Sequence, residues 1–249
     1  MKKKTVTRRK RTGKAKVSKT VKRYVKKQIS ANIENKCFVY YGANTNINTA
    51  GASLDCANLY LLPLLSQGTG QANRIGNQIK IKKAVVKGYV NIIPYNATTN
   101  PLTAPVMVKM WLVSHRKSMT FATGATSNFF ETGNSSTGFQ GNMLDMVLTV
   151  NKEAWLVHKT KTFKIGAGSN TTTGPISSNA YFDNSPMNKP FSFNFGKYIK
   201  AKLRYDDTGT TPTNKNMYLF IQAVYSDGSS NAVTPAEYHY DVRIDYEDA

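Results

Sequence analysis

From Glu237 to Asp248 the chain reads EYHYDVRIDYED, an unbroken two-residue alternation. Tyr238, Tyr240, Val242, Ile244 and Tyr246 fall on one face of an extended chain, and His239, Asp241, Arg243, Asp245 and Glu247 on the other. Successive Cβ atoms of a strand point to opposite sides, whereas a helix would scatter these apolar residues around its circumference. The stretch predicts a strand with one face in a core and the other in solvent or an interface.

Seven further segments have strand character: 36–42 (KCFVYYG), 78–94, 105–115, 153–165, 190–199, 200–205 and 216–227. The connectors between them are long and rich in Gly, Ser, Thr and Asn, as in NATTNPLTAP and DDTGTTPTNKN. A parallel α/β domain needs helices between its strands. Only 58–65 (NLYLLPLL) and 141–148 (GNMLDMVL) look helical, and both are short. The pattern predicts an all-β fold: a single eight-stranded antiparallel jelly-roll sandwich over residues 34–249, with loops long enough to be functional. At 40% apolar residues, with 14 Tyr, 11 Phe and 2 Trp, the chain has enough large side chains to fill one core. No apolar run approaches the roughly 18 residues that a membrane-crossing helix needs.

Charge divides the chain. The formal net charge is +20, from 34 Lys and Arg against 14 Asp and Glu. Residues 1–27 hold 14 of the basic side chains and no acidic one, and the first carboxylate is Glu34, so the remainder carries only +6. We therefore set a basic arm at 1–33. Its first 15 or so residues bury too little apolar surface to offset their ordering entropy, and are expected to be disordered alone. From Val17 the spacing changes: Val17, Val21, Tyr24 and Val25 fit one face of a short amphipathic helix. No apolar stretch of the kind found in secretory signals follows the basic residues.

A block of like charge calls for a polyanion. Lys2, Lys3, Lys4, Arg8, Arg9, Lys10, Arg11, Lys14 and Lys16 are candidate phosphate contacts, as are Lys19, Lys22, Arg23, Lys26 and Lys27. Tyr24 adds a ring on which a base can stack. Zinc-finger spacing, an RNP1-like motif and zipper heptads are all missing, so the arm reads as a non-specific, salt-sensitive binder of nucleic-acid backbone. Its composition also suits a nuclear localisation signal. A merely solubilising tail and an anionic membrane surface are the alternatives.

The stretch QGTGQANRIGNQI, 67–79, tests for nucleotide chemistry and fails. A dinucleotide fingerprint needs a third glycine where Asn73 stands, and a helix where strand residues follow; no P-loop occurs either. The glycines are expected to be turn residues permitting positive φ, and Arg74 to form a structural or inter-subunit hydrogen-bond fork. His115, His158 and His239 lie in three different predicted strands, with no ligand at metal spacing. Asp206–Asp207 opens a Gly/Thr loop and reads as a turn rather than a calcium site. Cys37 and Cys56 are 19 residues apart and form no zinc motif or disulfide framework. The Asn-x-Ser/Thr triplets at Asn96, Asn134 and Asn170 read as loop chemistry. With no G-x-S-x-G elbow, the sequence offers no catalytic residue, cofactor or metal site.

A basic arm before an eight-stranded jelly roll is the layout of small icosahedral coat proteins. Residues 61–90 (LLPLLSQGTGQANRIGNQIKIKKAVVKGYV) sharpen the match: a short apolar segment, Gln-Gly-Thr-Gly, Arg-Ile-Gly-Asn-x-Ile, then a Lys-rich strand. This resembles the capsid proteins of small circular single-stranded DNA viruses that encode a replication-initiator protein, the circovirus-like group. The resemblance implies a self-assembled T=1 shell of about 60 copies. It also implies single-stranded genomic DNA as cargo, residence in the virion and assembly in the host nucleus. Arms on about 60 copies would place roughly 840 positive charges inside, enough to neutralise much of a genome of a thousand or more nucleotides. Related Arg-x-Gly elements in small RNA-virus coat proteins keep an RNA-virus coat protein open, and the arm, more Lys-rich than the Arg-dominated arms of true circoviruses, assigns no genus. A non-assembling cellular nucleic-acid-binding β-domain, a lectin or a hydrolase are the other classes.

Overall fold

The computed structural model describes residues 18–32, 34–47, 56–70, 72–93, 105–116, 126–166, 186–200, 202–226, 228 and 234–248. The chain divides into two compact units, Met1–Glu34 and Asn35–Ala249. Within the first lies one helix, α1 (Lys19–Asn32), of 14 residues.

Among its described residues the second unit carries eleven strands: β1 (Asn35–Asn46), β2 (Ala57–Tyr60), β3 (Gln78–Ile92), β4 (Val106–His115), β5 (Phe130–Thr132), β6 (Ser135–Thr137), β7 (Trp155–Ile165), β8 (Asn188–Asn194), β9 (Leu203–Arg204), β10 (Tyr218–Tyr225) and β11 (Ala236–Asp248). One sheet runs β1-β11-β3-β8, with β9 added beside β3; the other runs β2-β10-β4-β7. All their pairings are antiparallel. Along the eight principal strands every connection crosses from one sheet to the other, except β4 to β7. That wrapping is a jelly roll.

The sheets face each other across a core of alternate residues. Val86, Val90, Phe193, Val242, Ile244 and Tyr246 come from the first sheet; Val108, Met110, Leu112, Leu219, Ile221 and Ala223 come from the second. The second sheet is buried on its other face as well. There Trp111, Val113, Tyr218, Phe220 and Trp155 pack against Phe129, Phe130 and Phe139 from the insertion between β4 and β7. This explains a contrast in the sequence. β10 is buried at all eight positions and reads as the unbroken run YLFIQAVY, whereas β11 alternates because its outer face meets solvent. Two-sided burial removes the polar half of the pattern.

The eight-stranded expectation holds in number and class, with one strand exchanged. Residues 58–65 begin as β2 rather than a helix, because Ala57–Tyr60 pair with Tyr218–Ile221 of β10. Pro63 then bars a ladder, and Leu61, Leu62 and Leu65 drop into the core. Conversely, 200–205 gives only the two residues of β9, which extend the start of β3. The strand expected over 190–199 stops at Asn194, where a 3-10 turn at Gly196–Tyr198 follows. The second helical expectation, 141–148, is a 3-10 turn at Met143–Met146, capped by the Asn142 side chain.

Candidate functional site: a basic helix and a pinned glycine loop

Ser18 opens α1. Its hydroxyl accepts the Val21 N–H at 3.2 Å and its carbonyl the Lys22 N–H at 3.1 Å. Such a cap satisfies donors that the first turn leaves orphaned. The helix begins two residues after the expected start and runs on to Asn32. It contains Lys19, Lys22, Arg23, Lys26 and Lys27 and no acidic residue. Lys19, Lys22 and Arg23 are exposed, and so are Val21, Tyr24 and Val25. With cations rather than carboxylates near the positive end of its dipole, the helix is electrostatically short of an anion. Lys2, Lys3, Lys4, Arg8, Arg9, Lys10, Arg11, Lys14, Lys16 and Val17 lie outside the described residues.

In the second unit the sequence 67–79 is fastened at three points. The first is Arg74, which is completely buried. Its Nη1 donates to the Gly76 carbonyl at 2.9 Å and to Asn77 Oδ1 at 2.7 Å. Nη2 donates to the carbonyls of Asp206, Asp207 and Gly209 at 2.5, 3.2 and 2.9 Å. The guanidinium lies 5.0 Å from the centre of the Tyr205 ring. The five acceptors join two loops some 130 residues apart in sequence, and Nε is left without a hydrogen-bond partner. Asn77 strengthens the same junction by donating to the Asp207 carboxylate.

The second fastening is Asp248, whose carboxylate accepts the N–H groups of Ile75 at 2.5 Å and Gly76 at 3.4 Å. The third is Lys36, which donates to the Asn73 carbonyl at 2.9 Å, an acceptor it shares with the Tyr246 hydroxyl. Residues from β1, β11 and the 205–209 loop thus hold one glycine-rich segment.

The glycines themselves correct the sequence reading. Gly68, Gly70 and Gly76 do not have positive φ; among the described residues that conformation is found at Gly133, Gly141, Gly166 and Gly228, and at Asn44. Gly68 instead borders the tip of the flexible Asn73 side chain. A Cβ there would lie 2.6 Å from Asn73 Nδ2, so the Asn73 side chain occupies the room that glycine leaves. No sequence signal separated close approach from positive φ.

The remaining candidates are ordinary in part. His239 stacks on Tyr89 at 4.5 Å on the outer face of the first sheet, while His115 and His158 are brought together by the adjacent strands β4 and β7. Neither Cys37 nor Cys56 is joined in a disulfide. Among the described residues no cluster of three or more His, Cys, Asp or Glu is placed to hold a metal ion. No helix among them is long and apolar enough to cross a membrane.

No family model matches the sequence, and no curated protein matches it. Solved structures similar to the chain include two viral ones. That of Desmodium yellow mottle tymovirus is 12% identical, covering 87% of this chain and 82% of its own, with a TM-score of 0.36. The crystal structure of the 60-mer BFDV capsid protein is 9% identical, covering 87% of this chain and 92% of its own, with a TM-score of 0.29. At similarities of this size the jelly roll is defined by the strand order of the chain itself.

Proposed function

We propose that this chain is the coat subunit of a small icosahedral virus, which assembles into a T=1 shell of about 60 copies and condenses single-stranded genomic DNA with its basic arm. The observation that carries the reading is the joining of a jelly roll to a segment with 14 cations and no acid over residues 1–27. A jelly roll alone serves many functions, capsids and lectins among them. A polycation of this density needs a polyanion, and a closed shell supplies a reason to hold one at high local concentration. Lys19, Lys22, Arg23, Lys26 and Lys27, with Lys2 to Lys16 before them, neutralise phosphates; Tyr24 stacks on bases. The virion is the final location, reached through the host nucleus. No residue is assigned a catalytic role or a cofactor. Arg74 serves the subunit by holding its loops in shape for assembly.

Deletion of residues 1–27 tests the packaging role. The truncated protein is expected to keep its β-sheet circular dichroism and to purify without nucleic acid. Equal nucleic-acid content in full-length and truncated protein would remove the arm from the account.

A further inference from the structure

Where β4 ends, β7 begins and β10 is about to start, the second unit has a cleft of about 190 Å³ whose polar lining includes Ser114, His115, Arg116, His158 and Lys215. The lining contains two imidazoles, a guanidinium and an ammonium, and no carboxylate. We propose that this cleft binds a tetrahedral phosphate-type oxyanion, held by Arg116 and Lys215 with Ser114 and the two histidines as further donors. The site stands independently of the shell reading, since it lies in the folded unit and uses none of the arm residues.

The side chains are placed by packing. Ser114 Oγ is 2.8 Å from His158 Nε2, and the His158 ring stacks on Tyr198 with centroids 4.5 Å apart. Tyr198 is itself anchored by its hydroxyl, which donates to the His158 carbonyl at 3.2 Å. His115 packs edge-on against Trp155 at 4.7 Å. Asn216 clasps the His115 backbone by accepting its N–H at 2.7 Å and donating to its carbonyl at 3.2 Å. Rigid imidazoles therefore line the cleft, while Arg116 and Lys215 are exposed at its mouth. Lys197 adds a further cation beside it, 4.8 Å from the Tyr198 ring centre.

Leu156, Ile199 and Met217 supply low-dielectric walls. A concave site lined by one sign of charge between apolar walls focuses its field and concentrates counter-ions. The volume is below the roughly 300 Å³ at which drug-sized pockets begin, so a single oxyanion group fits better than a whole nucleotide. Donors arriving from several strands suit a tetrahedral acceptor better than a planar carboxylate, which takes its donors near one plane. Burial holds His158 below its ordinary pKa and so neutral. A bound anion reverses that preference, so the site binds more tightly as pH falls. The groups facing it are Ser114, His115 and Arg116 from β4 and its end, Tyr198 from the turn after β8, and Lys215 before β10.

The test uses the full-length protein and inorganic sulfate, a tetrahedral anion with no proton equilibrium near neutrality, titrated at constant ionic strength. Tryptophan emission is the readout, because Trp155 touches His115. A saturable change is expected, stronger at pH 6 than at pH 8 and weakened roughly tenfold by Arg116→Gln or Lys215→Gln, the scale of one charge-assisted hydrogen bond. Lys189→Gln, which alters an exposed lysine outside the cleft, is expected to leave it unchanged. Arg116 and Lys215 are exposed, so their replacement leaves folding intact. Absence of saturation, or equal weakening by Lys189→Gln, overturns the site. A short thymidine oligonucleotide identifies the source of the phosphate. Displacement of sulfate by the oligonucleotide assigns the cleft to nucleic-acid backbone, and retention of sulfate assigns it to free anions.

Discussion

The Lys36 ammonium lies 3.2 Å from the Asp248 carboxylate, with both side chains almost wholly removed from solvent. The pair joins the first strand to the last, and the same two groups hold the backbone of Asn73, Ile75 and Gly76. Removing one member of a buried pair leaves the other charge desolvated, which costs about 3–5 kcal/mol. Asp248→Asn is therefore expected to lower unfolding free energy by about that amount in urea titration. A loss of under about 1 kcal/mol would mean that the pair is open to water.

Arg74→Lys is not conservative here. A point-like ammonium cannot span acceptors from two loops as the planar fork does. A loss of about 2 kcal/mol or more is expected, on the scale of charged hydrogen bonds left unmade. Arg243→Ala makes the comparison: Arg243 meets Asp245 on the exposed face, and its loss is expected to leave the urea midpoint essentially unchanged. Equal costs for the two arginines would contradict the assigned role of Arg74.

Phe129 is the centre of the second core. Its ring lies 4.9–5.6 Å from those of Trp111, Phe130, Phe139, Trp155 and Phe220. Phe129→Ala is expected to cost about 3–5 kcal/mol and to shift tryptophan emission to longer wavelength as water reaches Trp111 and Trp155. Unchanged emission would show that the insertion does not seal the sheet.

Asp145 gives a pH signature. Its carboxylate accepts the N–H groups of Gln140 and Gly141 at 2.7 and 2.8 Å and the amide of Gln222. Burial raises its pKa despite those bonds, while Lys109 is nearby with its own pKa lowered by burial. Asp145 Oδ1 and Gln222 Oε1 are left without partners. The folded state thus holds the Asp145 proton more tightly than the unfolded state. Its stabilising contribution is complete below the ordinary Asp value of 3.8 and is lost as pH rises through the raised value. Asp145→Asn supplies a donor for Gln222 Oε1 and carries no charge. Its melting temperature relative to the parent is expected to rise from pH 4 to pH 8; a relative fall over that range would refute the raised pKa.

Salt dependence reports on α1. Each phosphate contact to a single strand contributes a slope of about 0.7 to log K against log salt. Replacing Lys19, Lys22 and Arg23 together by Gln is expected to reduce the slope by about 2. An unchanged slope would place the contacts elsewhere.

How far the sequence carried these conclusions depends on how local each signal is. The alternation of β11 and the charge step at Glu34 are local, and both were legible. Leu59 and Tyr60 misled because an apolar run of this length does not distinguish strand from helix; their pairing with β10, nearly 160 residues later, decides it. The meeting of His115 and His158 depends on the β4–β7 pairing, and the grip of Asp248 on residues 75–76 on the closure of the whole domain. Gly68 was read as a positive-φ turn residue and not as room for Asn73, because only the folded loop brings the two together.

Negative-stain microscopy of the purified full-length protein tests the central claim most directly. The account predicts closed particles of uniform diameter whose mass corresponds to about 60 copies of the 27.6 kDa chain plus nucleic acid. A monodisperse monomer that forms no particles across salt and pH would contradict it.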